Sequence, residues 1–303
     1  MKKPTDKNEI WSTKELIDDF LQHNELKILT GSSQDLTTLH KSVYKKFQIP
    51  HKSDRYFFVY NEQNPAKHSL DLLEINLSSG ELLFVVPNQI HTSPPLKKGL
   101  KFHSLSFEAN CLSLLPRQFY FLTNPFNRQI ISFDNESRLR VKTLFETLRQ
   151  LLFSASTRNN TEIILAHLNT LLSEFNNAYF KNSGLEIFSG NKLSKYIQFK
   201  LFIEAEFKKQ PSVNSIAKKL LISENQLFSI VKEFSELSPK KYLIQRSMLE
   251  AQRILFYEKP SVKELAYELG FADPDYFSRL FKKQTGNTIS HFVRYVQDLS
   301  SQK

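Results

Sequence analysis

The first half of the chain changes from short apolar or alternating runs to helical periodicity at about residue 134. Turn residues such as Asn64-Pro65 and Ser78-Ser79-Gly80 separate the runs. Runs of this kind, about 10 to 15 residues apart, predict the strands of an antiparallel β-barrel or sandwich. The predicted strands are 55–60, 70–75, 81–86, 100–107 and 129–133.

Two amphipathic helices are predicted after the strands. Asp134 or Asn135 can cap a helix that ends near residue 154, and a second helix covers 161–180. Their apolar residues exceed what one helical face needs, so residues 134–180 are expected to form a homodimer interface. The alternative is that both helices pack on the barrel alone.

A helix-turn-helix pattern occurs twice in the last hundred residues. The first copy starts at Ser212-Val213 and the second at Ser261-Val262, 49 residues later. The later parts of the copies are 50 residues apart, so the second turn holds one additional residue. Two such units on one chain predict a reader of two successive major grooves.

Capping signals place the helices of the first copy. A supporting helix over 213–220 is followed by the turn Leu221-Ile222, and Ser223 caps a recognition helix over 224–235. A long connecting helix then starts at Ser238-Pro239. The residues predicted to face inward are Ala217, Leu227, Ile230 and Val231.

The second copy repeats this plan with stronger signals. Its supporting helix covers 262–269, and Gly270 belongs to the turn. Asp273 caps the recognition helix, Pro274 occupies the first helical position, and Gly286 ends the helix. The residues predicted to face inward are Ala266, Phe277, Leu280 and Phe281.

Exposed positions near the start of each recognition helix can reach base edges. Asn pairs with adenine, Arg pairs with guanine, and Phe contacts the thymine methyl group. Lysines beside these positions suit phosphates, which set register and affinity. For each position the alternative is a solvated helix face. The predicted base contacts are Glu224, Asn225, Phe228, Ser229, Pro274, Asp275, Ser278 and Arg279. The predicted phosphate contacts are Lys232, Lys240, Lys241, Lys282 and Lys283.

Charge supports nucleic acid as the partner. The net charge is +10, and residues 190–303 hold 19 Lys and Arg against 12 Asp and Glu. Such a surface attracts phosphate backbones regardless of sequence.

Cys111 is the only cysteine and no run of about 18 apolar residues occurs, so we expect a cytoplasmic protein that does not enter a membrane.

Residues 193–296 resemble the AraC/XylS family of transcription regulators. The string AYELGFADPDYFSRLFKKQTG over 266–286 follows that family's signature almost position by position, as do Arg246 and its neighbours in the connecting helix. The resemblance implies a two-lobed helical domain that binds double-stranded promoter DNA and works with RNA polymerase. The departures are Glu236 in place of the usual glycine, Val231 in place of an aromatic, and Ile289 in place of a proline.

The predicted strands resemble the cupin-type barrel that many AraC-like regulators carry. The run from Gly80 through Pro87 to His91 is similar to the second half of a cupin motif. The resemblance implies an unidentified small-molecule effector, and the candidate pocket residues are His68, Glu74 and His91. Residue 70 is Leu where a second metal-binding His belongs, so no metal, cofactor or catalytic residue is expected.

The sequence therefore predicts an α+β protein with a cupin-like antiparallel β-barrel and an all-α double helix-turn-helix domain. The expected domains are 1–181 for effector binding and dimerisation, a linker over 182–192, and 193–303 for DNA binding. The expected function is a sequence-specific transcription regulator without enzymatic activity. Two alternatives stay open: a cupin-type metalloenzyme with a DNA-binding tail, and a constitutive DNA-binding dimer whose barrel is only scaffold.

Overall fold

The computed structural model describes residues 26–33, 47–95, 99–153, 161–181 and 191–301. The described residues fall into two compact units. The first unit comprises the described residues of Ile10–Asn124 and Arg128–Ile187. The second unit comprises those of Phe188–Lys303 together with Pro125–Asn127. The predicted linker over 182–192 lies mostly outside the described residues, so the predicted domain boundaries remain predictions.

The strands of the first unit form two antiparallel sheets. The strands are β1 Leu29–Ser32, β2 His51–Lys52, β3 Tyr56–Gln63, β4 Ala66–Leu70, β5 Leu73–Leu77, β6 Glu81–Val85, β7 Ile90–Thr92, β8 Lys101–Phe107 and β9 Ile130–Ser132. In the described residues, one sheet has the order β1-β8-β3-β6-β9 and the other β2-β7-β4-β5.

The single strand predicted over 70–75 is wrong. Asp71 and Leu72 both have positive φ, at 48° and 67°, and form the turn between β4 and β5. The Asp71 carboxylate fixes this turn by accepting hydrogen bonds from the Ile90 N–H at 3.1 Å and from Gln89 Nε2 at 2.9 Å. The turn could not be predicted from the residues between Leu70 and Leu73, because the hydrogen-bond partners of Asp71 lie 18 and 19 residues further along the chain.

Helices complete the first unit. Helix α1 covers Asn135–Phe153 and α2 covers Thr161–Lys181, close to the predicted limits. Asp134 accepts a hydrogen bond from the Ser137 N–H at 2.8 Å, as expected of an N-cap. Short 3₁₀ helices lie at Ala109–Leu114 and Tyr120–Thr123.

The first unit has two apolar layers. An aliphatic cluster contains the buried Val59, Leu70, Leu77, Leu83 and Val85 from β3 to β6. An aromatic layer contains rings 5.3 to 6.4 Å apart from the strands, from the 3₁₀ segment and from α2. Its members include Phe58, Phe84, Phe107, Phe121 and Phe175.

The second unit is helical. Its helices are α3 Asn191–Glu206, α4 Val213–Lys219, α5 Glu224–Ser235, α6 Pro239–Tyr257, α7 Val262–Glu268, α8 Pro274–Thr285 and α9 Ile289–Ser301, with a 3₁₀ turn at Phe207–Lys209. The prediction of antiparallel sheets followed by helices, an α+β fold, is confirmed. Among the described helices, none combines the length and the apolar composition that a membrane-spanning segment requires.

Candidate nucleic-acid interface

Helices α4 and α5 form the first helix-turn-helix unit as the sequence predicts. The Ser212 hydroxyl caps α4 by accepting from the Ser215 N–H at 3.1 Å. Ser223 and Gln226 form a reciprocal capping box at the start of α5. These caps satisfy N–H groups that a helix start leaves without partners, so both helices have defined first turns. The buried residues between the helices include Ala217, Leu227, Ile230 and Val231.

Helices α7 and α8 form the second unit with the same construction. Ser261 and Glu264 make the capping box of α7. Asp273 caps α8 by accepting from the Asp275 N–H at 2.9 Å, with Pro274 at the first helical position. Ala266, Phe277 and Phe281 are buried as predicted, while Leu280 is only half-buried.

The two turns have the same backbone hydrogen bonds. Leu221 N–H donates to Lys218 O at 3.1 Å, and Gly270 N–H donates to Tyr267 O at 3.0 Å. Leu221 and Gly270 are both left-handed, with φ of 55° and 79°. The repeat inferred from the sequence is therefore also a repeat of backbone geometry. A Cβ at Gly270 would lie 1.8 Å from Lys208 O, so only glycine fits there.

The predicted base-contact side chains of α5 lie on its exposed face. Glu224, Asn225, Phe228 and Ser229 are all exposed, and Phe228 retains half of its accessible surface. Glu224 is not free, because its Oε1 accepts a hydrogen bond from Asn214 Nδ2 at 2.6 Å. The first turns of α5 carry no cationic side chain, so this face offers acceptors, amides and one aromatic ring.

The corresponding face of α8 has different chemistry. The prediction of exposed positions is confirmed for Asp275 and Arg279, and it is wrong for Pro274 and Ser278, which are half-buried. Ser278 Oγ donates to Pro274 O at 2.9 Å, which engages its proton within the helix. An Arg279 nitrogen lies 3.9 Å from Asp273 Oδ2, and both side chains are mostly exposed. Such an exposed pair is weak, so the guanidinium can exchange this carboxylate for another acceptor.

The predicted phosphate contacts are exposed lysines. Lys240 and Lys241 lie in the first turn of α6, and Lys282 and Lys283 lie in the last turns of α8. Lys232 Nζ donates to Glu236 O at 2.8 Å and so also caps the end of α5. All five ammonium groups are accessible to a polyanion.

The three departures from the family pattern have structural counterparts. Glu236 has a φ of 60°, so a side chain occupies a left-handed position that glycine favours. Gly286 occupies the equivalent end of α8 at φ 77°. Val231 is fully buried, and Ile289 is buried at the first position of α9.

Arg246 of α6 ties three elements of the helical unit together. Its Nε lies 2.9 Å from both carboxylate oxygens of Glu204, and another guanidinium nitrogen donates to Glu250 at 2.9 Å. The guanidinium also lies over the Phe207 ring, 4.2 Å from its centroid. Burial acts to lower the pKa of Arg246, but the carboxylates of Glu204 and Glu250 together outweigh it and raise the pKa above its ordinary value.

The candidate pocket residues of the first unit are only partly brought together. His68 Nδ1 and His91 Nε2 share a hydrogen bond of 3.2 Å in the interior. The Glu74 side chain is exposed, and its Oε2 lies 3.8 Å from Lys67 Nζ. In the register of β4 and β5, His68 pairs with Ile75 and Glu74 pairs with Ser69, which puts the two side chains on different faces.

His51 lies beside these two histidines, and no sequence signal indicated it. It pairs with His91 between β2 and β7, and their ring centroids are 5.5 Å apart. Burial lowers the pKa of His68 to about 4 and holds the pKa of His91 well below its ordinary value. These rings are neutral at pH 7. Among the described residues, no group of three or more His, Cys, Asp or Glu is arranged to hold a metal ion.

Asn214 is the other residue that sequence reasoning missed. It lies in the first turn of α4, ten residues before the Glu224 that it contacts. A polar residue at the exposed start of a supporting helix was the available signal, but its partner became visible only once α4 and α5 were packed together.

The chain is similar to several known proteins. Residues 216–295 match a family described as a helix-turn-helix domain, and this range runs from within α4 to within α9. The Msm operon regulatory protein of Streptococcus mutans is 25% identical over 247 residues, covering 81% of this chain and 86% of the relative. The transcriptional activator RhaS of Salmonella schwarzengrund is 28% identical over 125 residues, covering 41% of this chain and 42% of the activator. The crystal structure of fatty-acid-bound ToxT from Vibrio cholerae covers 79% of this chain and 87% of ToxT, with a TM-score of 0.43 and 13% identity.

Proposed function

We propose that this chain is a DNA-binding transcription regulator of the AraC family that places α5 and α8 in successive major grooves of promoter DNA. The observation that carries the proposal is the repeated construction of the two units. Each has a capped 12-residue helix with one buried stripe and an exposed face at its N-terminal end. This is the part of a recognition helix that contacts base edges.

The chemistry of the two faces predicts different half-sites. Arg279 suits the O6 and N7 acceptors of guanine, and Asn225 suits the N6 and N7 of adenine. The exposed Phe228 ring suits a thymine methyl group. A promoter read in this way has two unlike elements about one helical turn apart.

A selection from randomised duplex DNA with the purified full chain tests this proposal. We expect a bipartite motif with its elements about 10 base pairs apart. A single short element would limit base reading to one unit, and a pool without enrichment would refute specific DNA binding.

Arg279→Ala and Lys282→Ala form a matched pair in α8. Arg279→Ala should weaken the preferred site by about 1–3 kcal/mol and relax base choice at one position. Lys282→Ala should weaken preferred and random DNA alike and lower the salt slope by about one unit. Equal losses for Arg279→Ala on both DNAs would move Arg279 to the phosphate contacts.

We further propose that the chain is a homodimer through residues 134–180. Leu139 of α1 and Ile163 of α2 are 69% and 47% exposed, although both are large apolar residues. Sedimentation of the full chain should show a dimer that Leu139→Glu or Ile163→Glu dissociates. Leu114→Glu is the control, because Leu114 is also 55% exposed but lies outside both helices. A monomeric wild-type chain would contradict the proposal.

A small-molecule effector of the first unit is proposed from the family's usual organisation. One observation favours the scaffold alternative: the cluster of Val59, Leu70, Leu77, Leu83 and Val85 places apolar side chains in the interior of the strand region. DNA footprints with and without a small-molecule extract of the source cells separate the two functions. An extract that changes the footprint supports an effector, and an unchanged footprint supports a constitutive DNA-binding protein.

We also infer that the chain is not an enzyme and acts on transcription through RNA polymerase. The named relatives are regulators, and Glu74 lies on a different strand face from His68. Transcription in vitro with purified polymerase should change when the full chain is added to a template with the selected motif. One equivalent of a transition metal in the purified protein would instead support the metalloenzyme.

A further inference from the structure

The side chains of Asn214 and Glu224 form a hydrogen-bonded pair between the supporting and recognition helices of the first unit. Asn214 Nδ2 donates to Glu224 Oε1 at 2.6 Å, and both residues are exposed. They line one shallow cleft of about 310 Å³, together with Lys218, Ser223 and Asn225. A fixed pair of exposed polar side chains beside a cleft presents a defined set of donors and acceptors.

The hydrogen bond from Asn214 reduces the cost of bringing the Glu224 carboxylate close to DNA. A carboxylate that approaches DNA is repelled by the phosphates and loses its water. It is tolerated at a base edge only where its oxygens find hydrogen-bond donors. Asn214 supplies one donor to Oε1, so Oε2 is left to accept a hydrogen bond from the DNA.

Resting on the proposed function, the geometry points to Glu224 as the reader of a cytosine and to Asn214 as its positioning residue. The major groove presents two amino donors, N4 of cytosine and N6 of adenine. Adenine carries the N7 acceptor beside its amino group, and that lone pair repels the second carboxylate oxygen. Cytosine presents its amino group without such a neighbour, so an acceptor-only side chain selects cytosine.

Asn214 also has a second amide proton that the Glu224 contact does not use. The supporting helix of such a unit crosses the DNA backbone, so this proton is available to a phosphate oxygen. A phosphate, Asn214, Glu224 and the cytosine amino group then form one continuous chain of hydrogen bonds. Base choice and backbone register are coupled in this arrangement.

The second unit lacks this pair, which provides an internal control. The residues at the equivalent positions are Lys263 and Pro274. Lys263 Nζ lies 6.0 Å from the centroid of the Tyr267 ring, and proline has no side-chain acceptor. The inferred cytosine readout therefore belongs to α5 alone.

The test measures binding of the full chain to the selected site with each of the four bases at every position of the α5 element. The wild type should prefer cytosine at one position by about 10-fold or more. Glu224→Gln should shift that preference to adenine, because an amide pairs with both N6 and N7. Asn214→Ala should reduce the cytosine preference several-fold, and Asn214→Gln should restore part of it.

Two controls separate positioning from general damage. Asn214→Ala should have no further effect on base choice in a Glu224→Ala background, because Asn214 acts through the side-chain oxygen of Glu224. Lys263→Ala should lower affinity without changing base preference in either element. DNA with a cytosine analogue that lacks the 4-amino group should bind the wild type as weakly as DNA with a mismatched base. The same DNA should bind Glu224→Gln at least as tightly as DNA with cytosine. Circular dichroism of each variant shows whether the helices are retained.

The outcomes distinguish this inference from the proposed function. A wild-type motif in which neither Glu224→Gln nor Asn214→Ala changes any base preference overturns the inference and leaves DNA recognition standing. A wild-type chain that selects no motif overturns both.

Discussion

Replacing Gly270 by alanine should destabilise the helical unit far more than the same change at Gly286. The two glycines have nearly equal φ, 79° and 77°, so an alanine meets similar backbone strain of about 1–2 kcal/mol at either position. The lower entropy of the unfolded alanine chain offsets about 0.4–1 kcal/mol of that strain in both variants. Backbone strain and this entropy offset together predict a loss of about 1 kcal/mol for each variant.

The surroundings of the two glycines differ. A Cβ at Gly270 would lie 1.8 Å from Lys208 O, and contacts under 3.0 Å essentially never occur for a Cβ atom. The backbone would have to move by more than 1 Å, and an overpacked site of this kind costs about 1–3 kcal/mol more. A Cβ at Gly286 meets nothing within 4 Å. We expect Gly270→Ala to lower the free energy of unfolding by about 3 kcal/mol and Gly286→Ala by about 1 kcal/mol.

Urea unfolding of the full chain, followed by hydrogen exchange of peptides from α7 and α8, measures this difference locally. Gly286→Ala is the matched control, since it carries the strain without the collision. Equal losses for the two variants would refute the reasoning, because they would show that the close approach of Lys208 O has no energetic effect. A loss below about 1 kcal/mol for Gly270→Ala would do the same.

Two further predictions concern buried polar groups. Burial lowers the pKa of His68 in the folded chain to about 4, so the unfolded chain binds a proton first as the pH falls below about 6.5. The contribution of His68 to the free energy of unfolding should be complete above pH 6.5 and fall by up to about 3 kcal/mol towards pH 4. Unfolding measured across this range should give a free energy that depends less steeply on pH for His68→Leu than for the wild type. Arg246→Lys should lower stability by about 2 kcal/mol, since lysine cannot keep the paired contact with Glu204 and the stacking on Phe207. Thermal unfolding measures this second loss, and an unchanged midpoint would contradict the role given to the guanidinium.

The helix-turn-helix units could be predicted because their signals are local. Ser223 and Asp273 cap the recognition helices, and Gly286 ends the second, as the sequence indicates. The limits of α1 and α2 follow from apolar spacing and from the Asp134 cap in the same way. Such signals act over a few residues, so they are readable without knowing what each helix packs against.

The strands and turns of the first unit were harder to predict from the sequence, because the hydrogen bonds that define them join residues far apart in the chain. The turn at Asp71 and Leu72 depends on hydrogen bonds to Gln89 and Ile90, and it was predicted as the middle of a strand. The residue types at positions 70–75 do not show this, since a short apolar run is compatible with a strand or with a hairpin corner. Which side chains share a face also follows from register, and this is why Glu74 does not accompany His68.

Periodicity and capping signals predicted the α+β order of elements, the two capped helices of the repeat and the exposed positions of α5, because these signals are properties of neighbouring residues. The sequence did not reveal which distant side chains contact each other. The pairing of β2 with β7 brings His51 to His91, and the packing of α4 against α5 brings Asn214 to Glu224. The physical reason is that contacts between elements depend on register and packing, which no single stretch of the chain encodes.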